Sequence, residues 1–249
     1  MRILCAVKRV PITGGKMVLT DDEQSIQTRH LGFTISPHEE CGVEEAVRIV
    51  EADGGEVVVL TLGPTEAEEQ LRECMALGAD RAIHLVTEEE WDAQATAGAL
   101  VDAIRSEEPF DLLLFGNESA DAGNYQVGIR VSYALGLPIV TGVKGITVAD
   151  GRARLEQEVA TGRDVYDVAL PAIVTVKEGL NLPRYPSVPA KLRANRKPVD
   201  AKPVERPASK LEKLRLVVPA GQGKQAEILG HGPEAAPAVV EVMQKLGVA

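Results

Sequence analysis

The sequence predicts an α/β fold: a three-layer, open, mostly parallel sheet with helices on both faces, an antiparallel hairpin insertion, and an extended C-terminal arm ending in a helix. Three observations predict it. Strand-like and helix-like segments alternate as far as Leu135, the order that builds parallel strands joined by helical crossovers. The strand runs are short and continuously apolar, as in EVVVLTL from Glu56 and DLLLF from Asp111, which suits strands covered on both faces. Beyond Gly142 the period shortens to two around Asp150-Gly151 and Thr161-Gly162, the signature of antiparallel strands joined by tight turns.

The elements follow in order. RILCAV (2–7) is the first strand, and a long polar loop follows it. Pro37 to Asp53 reads as a helix with Val43, Ala46, Val47 and Val50 on one face and Glu44, Glu45 and Arg48 on the other. After the strand from Glu56 to Leu62, Thr65 is placed to cap a helix running to about Leu77, with Glu68 completing a capping box. Gly78 stops it. AIHLV (82–86), a helix from Trp91 to Ser106, DLLLF (111–115) and a helix from Gly123 to Leu135 continue the alternation. Antiparallel strands are expected at 142–148, 153–159 and 164–168, and PAIVTVK (171–177) returns as a buried strand. Residues 1–198 are read as the α/β domain. Residues 199–249 form the arm: Lys/Pro-rich to about Ser209, Gly-rich from Gly221 to Gly232, and closing in a helix from Pro233 to Leu246 that needs a surface to lie against.

Bulk properties exclude several classes of function. The 249 residues are 45% hydrophobic and 26% charged, with a net charge of -10. That length can bury a substantial core, and the acidic balance argues against nucleic-acid binding, which needs basic surface. No apolar run is long enough to span a bilayer, and the first residues enter a strand rather than the long apolar region of a signal peptide. Cys5, Cys41 and Cys74 lack paired or metal-ligand spacing. They read as reduced thiols, and the protein as cytoplasmic.

Ligands of open α/β sheets sit beyond the carboxyl ends of the strands. Two segments fall there: Ala6-Val7-Lys8-Arg9, and Gly116 to Gly128, which runs into a helix N-terminus where backbone N–H groups favour a phosphate. The second segment is neither G-x-G-x-x-G nor a P-loop. A plain polar loop with Asp121 or Asn124 capping the helix fits it equally well, and Leu62-Gly63-Pro64 fits an ordinary turn. No catalytic or metal constellation emerges. His30, His38, His84 and His231 are scattered, His84 suits the core, and Glu39-Glu40 and Glu88 to Glu90 read as solvated helix starts.

Together AVKRV, the Pro37 helix with VEEAVRIVE, ALGADRAIHL and ALPAIVTVKEGLNLPRY resemble the β subunit of electron transfer flavoprotein. The likeness runs from residue 1 to about 200 and continues more weakly beyond. It implies a redox carrier without substrate turnover of its own, working in fatty acid β-oxidation as a heterodimer with an α subunit that holds most of the FAD. It implies a bound AMP in this subunit, electrons arriving from acyl-CoA dehydrogenases, and delivery to a membrane quinone oxidoreductase. Carried over by position, the nucleotide residues are Ala6, Ser36, Pro37, His38, Glu39, Leu62, Asp121, Gly123, Asn124, Tyr125, Gln126, Val127 and Gly128, and His38 and Thr13 approach the flavin. Asp121, Gln126 and Gly128 match the family loop, whereas Ala122, Tyr125 and Val127 replace an Asp, an Asn and a Thr. A bifurcating member with a second FAD in place of AMP is one alternative, and a nucleotide-hydrolysing enzyme is another.

GLNLPRYPSVPAKLRANRKP (179–198) has four prolines, five basic residues and no acidic one. Composition alone suits a solvated linker. The resemblance makes it a recognition loop for a dehydrogenase, with Tyr185, Val188, Pro189, Lys191 and Arg193 as docking residues and Val188 as the anchor. Arg184, Lys191, Arg193, Arg196 and Lys197 would steer an acidic partner.

Overall fold

The computed structural model describes residues 1–12, 17–208, 211–218 and 227–248. Thr13, Ser209 and much of the Gly-rich segment lie outside them. Two compact units are present, Met1–Leu214 and Arg215–Ala249.

In the first unit the alternation becomes a nine-stranded sheet. Its strands are β1 (Arg2–Ala6), β4 (Glu56–Gly63), β5 (Arg81–Val86), β6 (Leu112–Gly116), β7 (Ile139–Ala149), β8 (Arg152–Val159), β9 (Gly162–Ala169), β10 (Ala172–Val176) and β11 (Val199–Pro203). The order is β11-β5-β4-β1-β6-β10-β7-β8-β9, while β2 (Arg9–Pro11) and β3 (Phe33–Ile35) pair separately as an antiparallel ribbon. All pairings from β11 to β7 are parallel, and β7-β8-β9 is antiparallel. Strand pleating sends Ile3 and Cys5 to one face, where they pack with Val43 and Ala46 of α1 (Pro37–Asp53) and Leu71 and Cys74 of α2 (Glu68–Leu77). Leu4 and Ala6 go to the other face, against Leu100 and Ile104 of α3 (Ala93–Arg105) and Val131 of α4 (Val127–Leu135). This is the three-layer arrangement expected.

Three details differ from the sequence reading. Thr65 begins a 3-10 turn and does not cap α2 with its side chain; its N–H and hydroxyl both donate to Glu88 Oε1, at 3.1 and 3.2 Å. Helix α4 starts at Val127, not Gly123, because Gly123 (φ 55°) and Tyr125 (φ 54°) take left-handed backbone that interrupts a helix. Val199–Pro203, assigned to the arm by composition, pairs with Ala82–Val86 at the sheet edge, where a strand-end proline forfeits no ladder bond.

Residues 188–194 form a short helix, α5 (Val188–Ala194), capped by Ser187, whose hydroxyl accepts from Ala190 N–H at 3.3 Å. The second unit carries α6 (Ala236–Lys245), preceded by a 3-10 turn at Gly232–Ala235. Val239, Val240, Val242 and Met243 are exposed along it. Among the described residues no helix is long and apolar enough to cross a membrane.

Candidate functional site

The chain runs outward from β1 through β4 to β5 on one side and then crosses to β6 on the other. At the carboxyl ends of these strands such a reversal leaves a crevice. A cavity of about 320 Å³ occupies it. Its lining combines apolar side chains (Leu60, Leu62, Leu100, Phe115 and Trp91) with polar ones (Lys8, Glu39, Asn117, Ser119 and Asp121) and the start of α4.

The glycines let the walls close. A Cβ on Gly128 would stand 2.9 Å from Thr175 Cγ2 and 3.4 Å from the Phe115 ring, so only glycine brings the first turn of α4 down onto the sheet. Helix α4 has no side-chain cap at Gln126. Its first-turn N–H groups and the positive end of its dipole are therefore available to an anion. Asp121 does not cap the helix. It binds Lys8 Nζ at 2.6 Å and accepts from its neighbour Ala122 N–H. Burial works to raise the Asp121 carboxyl, and the Lys8 ammonium with the Ser119 and Ala122 donors overrides it and holds it below the usual carboxylate range.

Glu39 is buried, contrary to the solvated helix start expected of it. Its Oε2 accepts from Lys8 N–H (2.9 Å) and Ser36 N–H (3.3 Å), tying the end of β1 to the N-terminus of α1. Burial pushes this carboxyl up to about 8, with the two N–H donors and the Lys8 charge opposing that rise and Asp121 adding to it.

Of the nucleotide residues expected from sequence, the structure brings Ala6, Glu39, Leu62, Asp121, Asn124, Tyr125, Gln126, Val127 and Gly128 together on the cavity wall. Ser36, Pro37, His38 and Gly123 sit just outside it. Ser36 Oγ donates to Glu118 O at 3.4 Å. His38 Nδ1 accepts from Glu178 N–H at 2.7 Å, with Nε2 3.5 Å from Glu118 Oε1. Sequence reasoning left Lys8, Asn117, Trp91 and Thr175 unassigned; Glu88 to Glu90, read as solvated, are exposed and also border the cavity. Lys8 and Asn117 belonged to the two strand-end segments singled out, so position could have found them. Trp91 and Thr175 gave no comparable signal. His84 is a core residue, fully buried with Nε2 3.3 Å from Gly63 O.

Comparison with known proteins decides the family. A model of the electron transfer flavoprotein domain matches residues 25–207. The chain belongs to the electron transfer flavoprotein family. It is 33% identical over 229 residues to the electron transfer flavoprotein subunit beta of Syntrophomonas wolfei, covering 92% of this chain and 90% of that one. It is 32% identical over 202 residues to the Bacillus subtilis subunit beta (80% and 78%). To the Caffeyl-CoA reductase-Etf complex subunit CarD of Acetobacterium woodii it is 34% identical over 204 residues (80% and 77%). The chain is thus a subunit of a flavin-associated electron carrier that pairs with an α subunit.

The surface expected to dock a partner is laid out beside α1 and α2. Tyr185 is 98% and Val188 72% exposed, and Pro189, Lys191 and Arg193 are exposed as well. Val188 is the first residue of α5 and not a loop tip. Two of the five basic residues are structural instead of free to steer. Arg184 binds Glu44 and Glu51 of α1, and Lys197 Nζ donates to Met75 O (3.0 Å) and Ala79 O (2.6 Å).

Proposed function

We propose that this chain is the β subunit of a heterodimeric electron carrier whose cavity holds AMP, while FAD lies mainly on the α subunit and is partly enclosed by this one. The observation that carries the reading is the uncapped N-terminus of α4 at a cavity lined by both apolar and polar side chains. The residues fit an adenine nucleotide: Leu62, Leu100, Phe115 and Trp91 suit a base, and the Val127 and Gly128 N–H groups suit a phosphate. The bound FAD supplies the redox chemistry. This chain contributes packing and electrostatics, with His38 on the flavin side.

In this reading acyl-CoA dehydrogenases deliver electrons to the carrier in the cytoplasm, docking at Tyr185, Val188, Pro189, Lys191 and Arg193, and a membrane quinone oxidoreductase receives them. Of residues 199–249, which composition set apart as the arm, the part beyond the edge strand β11 packs on the α subunit, with the apolar side of α6 supplying part of that contact. The test is to co-express both subunits, release the bound small molecules with acid and count them. One FAD and one AMP per heterodimer is the expected result. Two flavins and no AMP would select the bifurcating arrangement. A colourless chain that turns over ATP would replace both with a nucleotide hydrolase.

A further inference from the structure

Glu39 poses an electrostatic problem. It forms part of the lining of a cavity read as an anion site, and it is buried. Among the described residues it has no ion pair, because the nearby Lys8 ammonium is committed to Asp121 at 2.6 Å. An ionised carboxylate so placed bears both the cost of burial and repulsion from a phosphate, and such groups neutralise by taking up a proton. The hydrogen bonds leave one atom for that proton. Oε2 already accepts from Lys8 N–H and Ser36 N–H, whereas no bond among the described residues reaches Oε1. Oε1 lies toward Gly116, 3.4 Å from where a Cβ would stand there, and a side chain at 116 would press on Glu39 Cγ at 2.8 Å. The floor of the cavity is thus shaped around this carboxyl group.

We propose that Glu39 binds the nucleotide as a neutral carboxylic acid, donating a hydrogen bond from Oε1–H to an acceptor atom of the ligand, so that nucleotide binding is coupled to proton uptake. This rests on the nucleotide reading of the cavity. The groups facing Glu39 are consistent with it. Asp121 on the β6–α4 loop favours the neutral form by charge repulsion, and the buried Cys5 and Cys74 thiols of β1 and α2, themselves neutral, give it no cation. Lys8 after β1 opposes it while remaining held by Asp121. Arg9, Glu118 and Glu88 to Glu90 stand elsewhere on the same cavity wall, and none forms an ion pair with Glu39. Burial already brings the group close to neutrality at pH 7, with its transition at about 8. A bound phosphate shifts that transition further up, so the complex holds more protons than the free site. Affinity therefore falls as pH rises through and beyond that value.

The test uses the heterodimer, stripped of nucleotide and titrated with AMP by calorimetry at pH 6.5, 8.5 and 9.5 in two buffers of different ionisation enthalpy. Wild type is expected to lose about tenfold in affinity per pH unit above the transition, with proton uptake at pH 8.5 and 9.5 and little at pH 6.5. Glu39→Gln keeps a donor without a titration, so its affinity should change less than about twofold over the same range and its proton uptake should vanish. AMP binding with a flat wild-type profile overturns the role of Glu39 and leaves the nucleotide reading standing, as does a Gln variant with the wild-type slope. If that variant fails to fold, wild-type proton uptake alone decides, and its absence at pH 8.5 and 9.5 overturns the proposal. No AMP binding at any pH overturns the nucleotide reading and this proposal with it.

Discussion

Replacing Arg184 with Ala should free the docking segment from the body of the protein. Arg184 is the fastener: its Nε and Nη2 donate to Glu44 at 2.9 and 3.1 Å, its Nη1 and Nη2 to Glu51 at 2.6 and 2.8 Å, and its backbone N–H to Glu44 at 3.2 Å. The Glu44 side chain is only 2% exposed. Breaking a buried pair by removing one partner costs about 3–5 kcal/mol. Two features reduce that here. The Arg184 side chain is 36% exposed, so water screens part of the attraction. Arg48 also remains on Glu44 Oε1 at 2.7 Å. A loss of about 1–3 kcal/mol results, which corresponds to roughly 5- to 150-fold faster amide exchange in residues 178–187 if the opening is local. Burial works to raise the Glu44 carboxyl, and the bonds from Arg184 and Arg48 override it and hold it below its ordinary value. A depressed carboxylate stabilises fully above its unfolded value and loses that contribution as pH falls through its folded one. The difference between wild type and Arg184→Ala should therefore be full at pH 7 and shrink below about pH 4. Hydrogen exchange followed by mass spectrometry on the heterodimer measures it. Exchange in 178–187 less than twofold faster at pH 7 would refute the tether, and a difference unchanged at pH 3.5 would refute its electrostatic origin.

Two further changes separate the cavity from the docking surface. Gly128→Ala places a methyl 2.9 Å from Thr175 Cγ2; lifting α4 to relieve it should cost about 1–3 kcal/mol, and acid-released AMP should fall well below one per heterodimer while the α–β contact survives. Retention of AMP at wild-type level would show that α4 does not hold it. Val188→Ala removes apolar surface from an exposed anchor and should lower kcat/KM for the electron-donating dehydrogenase by about 1–2 kcal/mol, with FAD content unchanged; stopped-flow flavin reduction at wild-type rate would remove Val188 from the docking surface.

Much of the fold was legible because its signals are local. Helix α1 spans Pro37–Asp53 as expected, since Pro37 sets the first turn, Val43, Ala46 and Val47 recur at helical spacing, and Gly54 breaks the run. The buried strands announced themselves by continuous apolar composition. The errors came where a distant residue or a special backbone intervened. Glu88 is 23 residues from the Thr65 it binds, so Thr65 looked free to cap its own helix. Tyr125 at φ 54° cuts α4 short, although nothing in its residue type requires that conformation. The Lys/Pro composition after Pro198 read as part of an extended arm because an edge strand has a neighbour on one side only and tolerates polar residues and a terminal proline.

At the candidate site, legibility followed position and failed on charge state. The carboxyl ends of β1 and β6 were readable as ligand-binding positions from the strand–helix alternation, and Asp121 and Gly128 were readable on the loop that follows β6, whereas the end of β4 read as an ordinary turn. What Lys8 and Glu39 do depends on pairings across the chain: Lys8 reaches Asp121 over 113 positions, and its N–H reaches Glu39 over 31. A glutamate in the first turn of a helix is by default a solvated anion favoured by the dipole. Here the strand end folds over it, Gly116 removes the side chain that would hold it off the sheet, and Asp121 takes the Lys8 ammonium. Two segments far from Glu39 in sequence, the end of β1 and residues 116–121, therefore convert a surface-type carboxylate into a buried acid, and Gly116 and Asp121 can each be tested alone. Gly116→Ala should push Glu39 outward and lower its transition toward the ordinary range, whereas Asp121→Asn frees the Lys8 ammonium and should lower it while Glu39 stays buried.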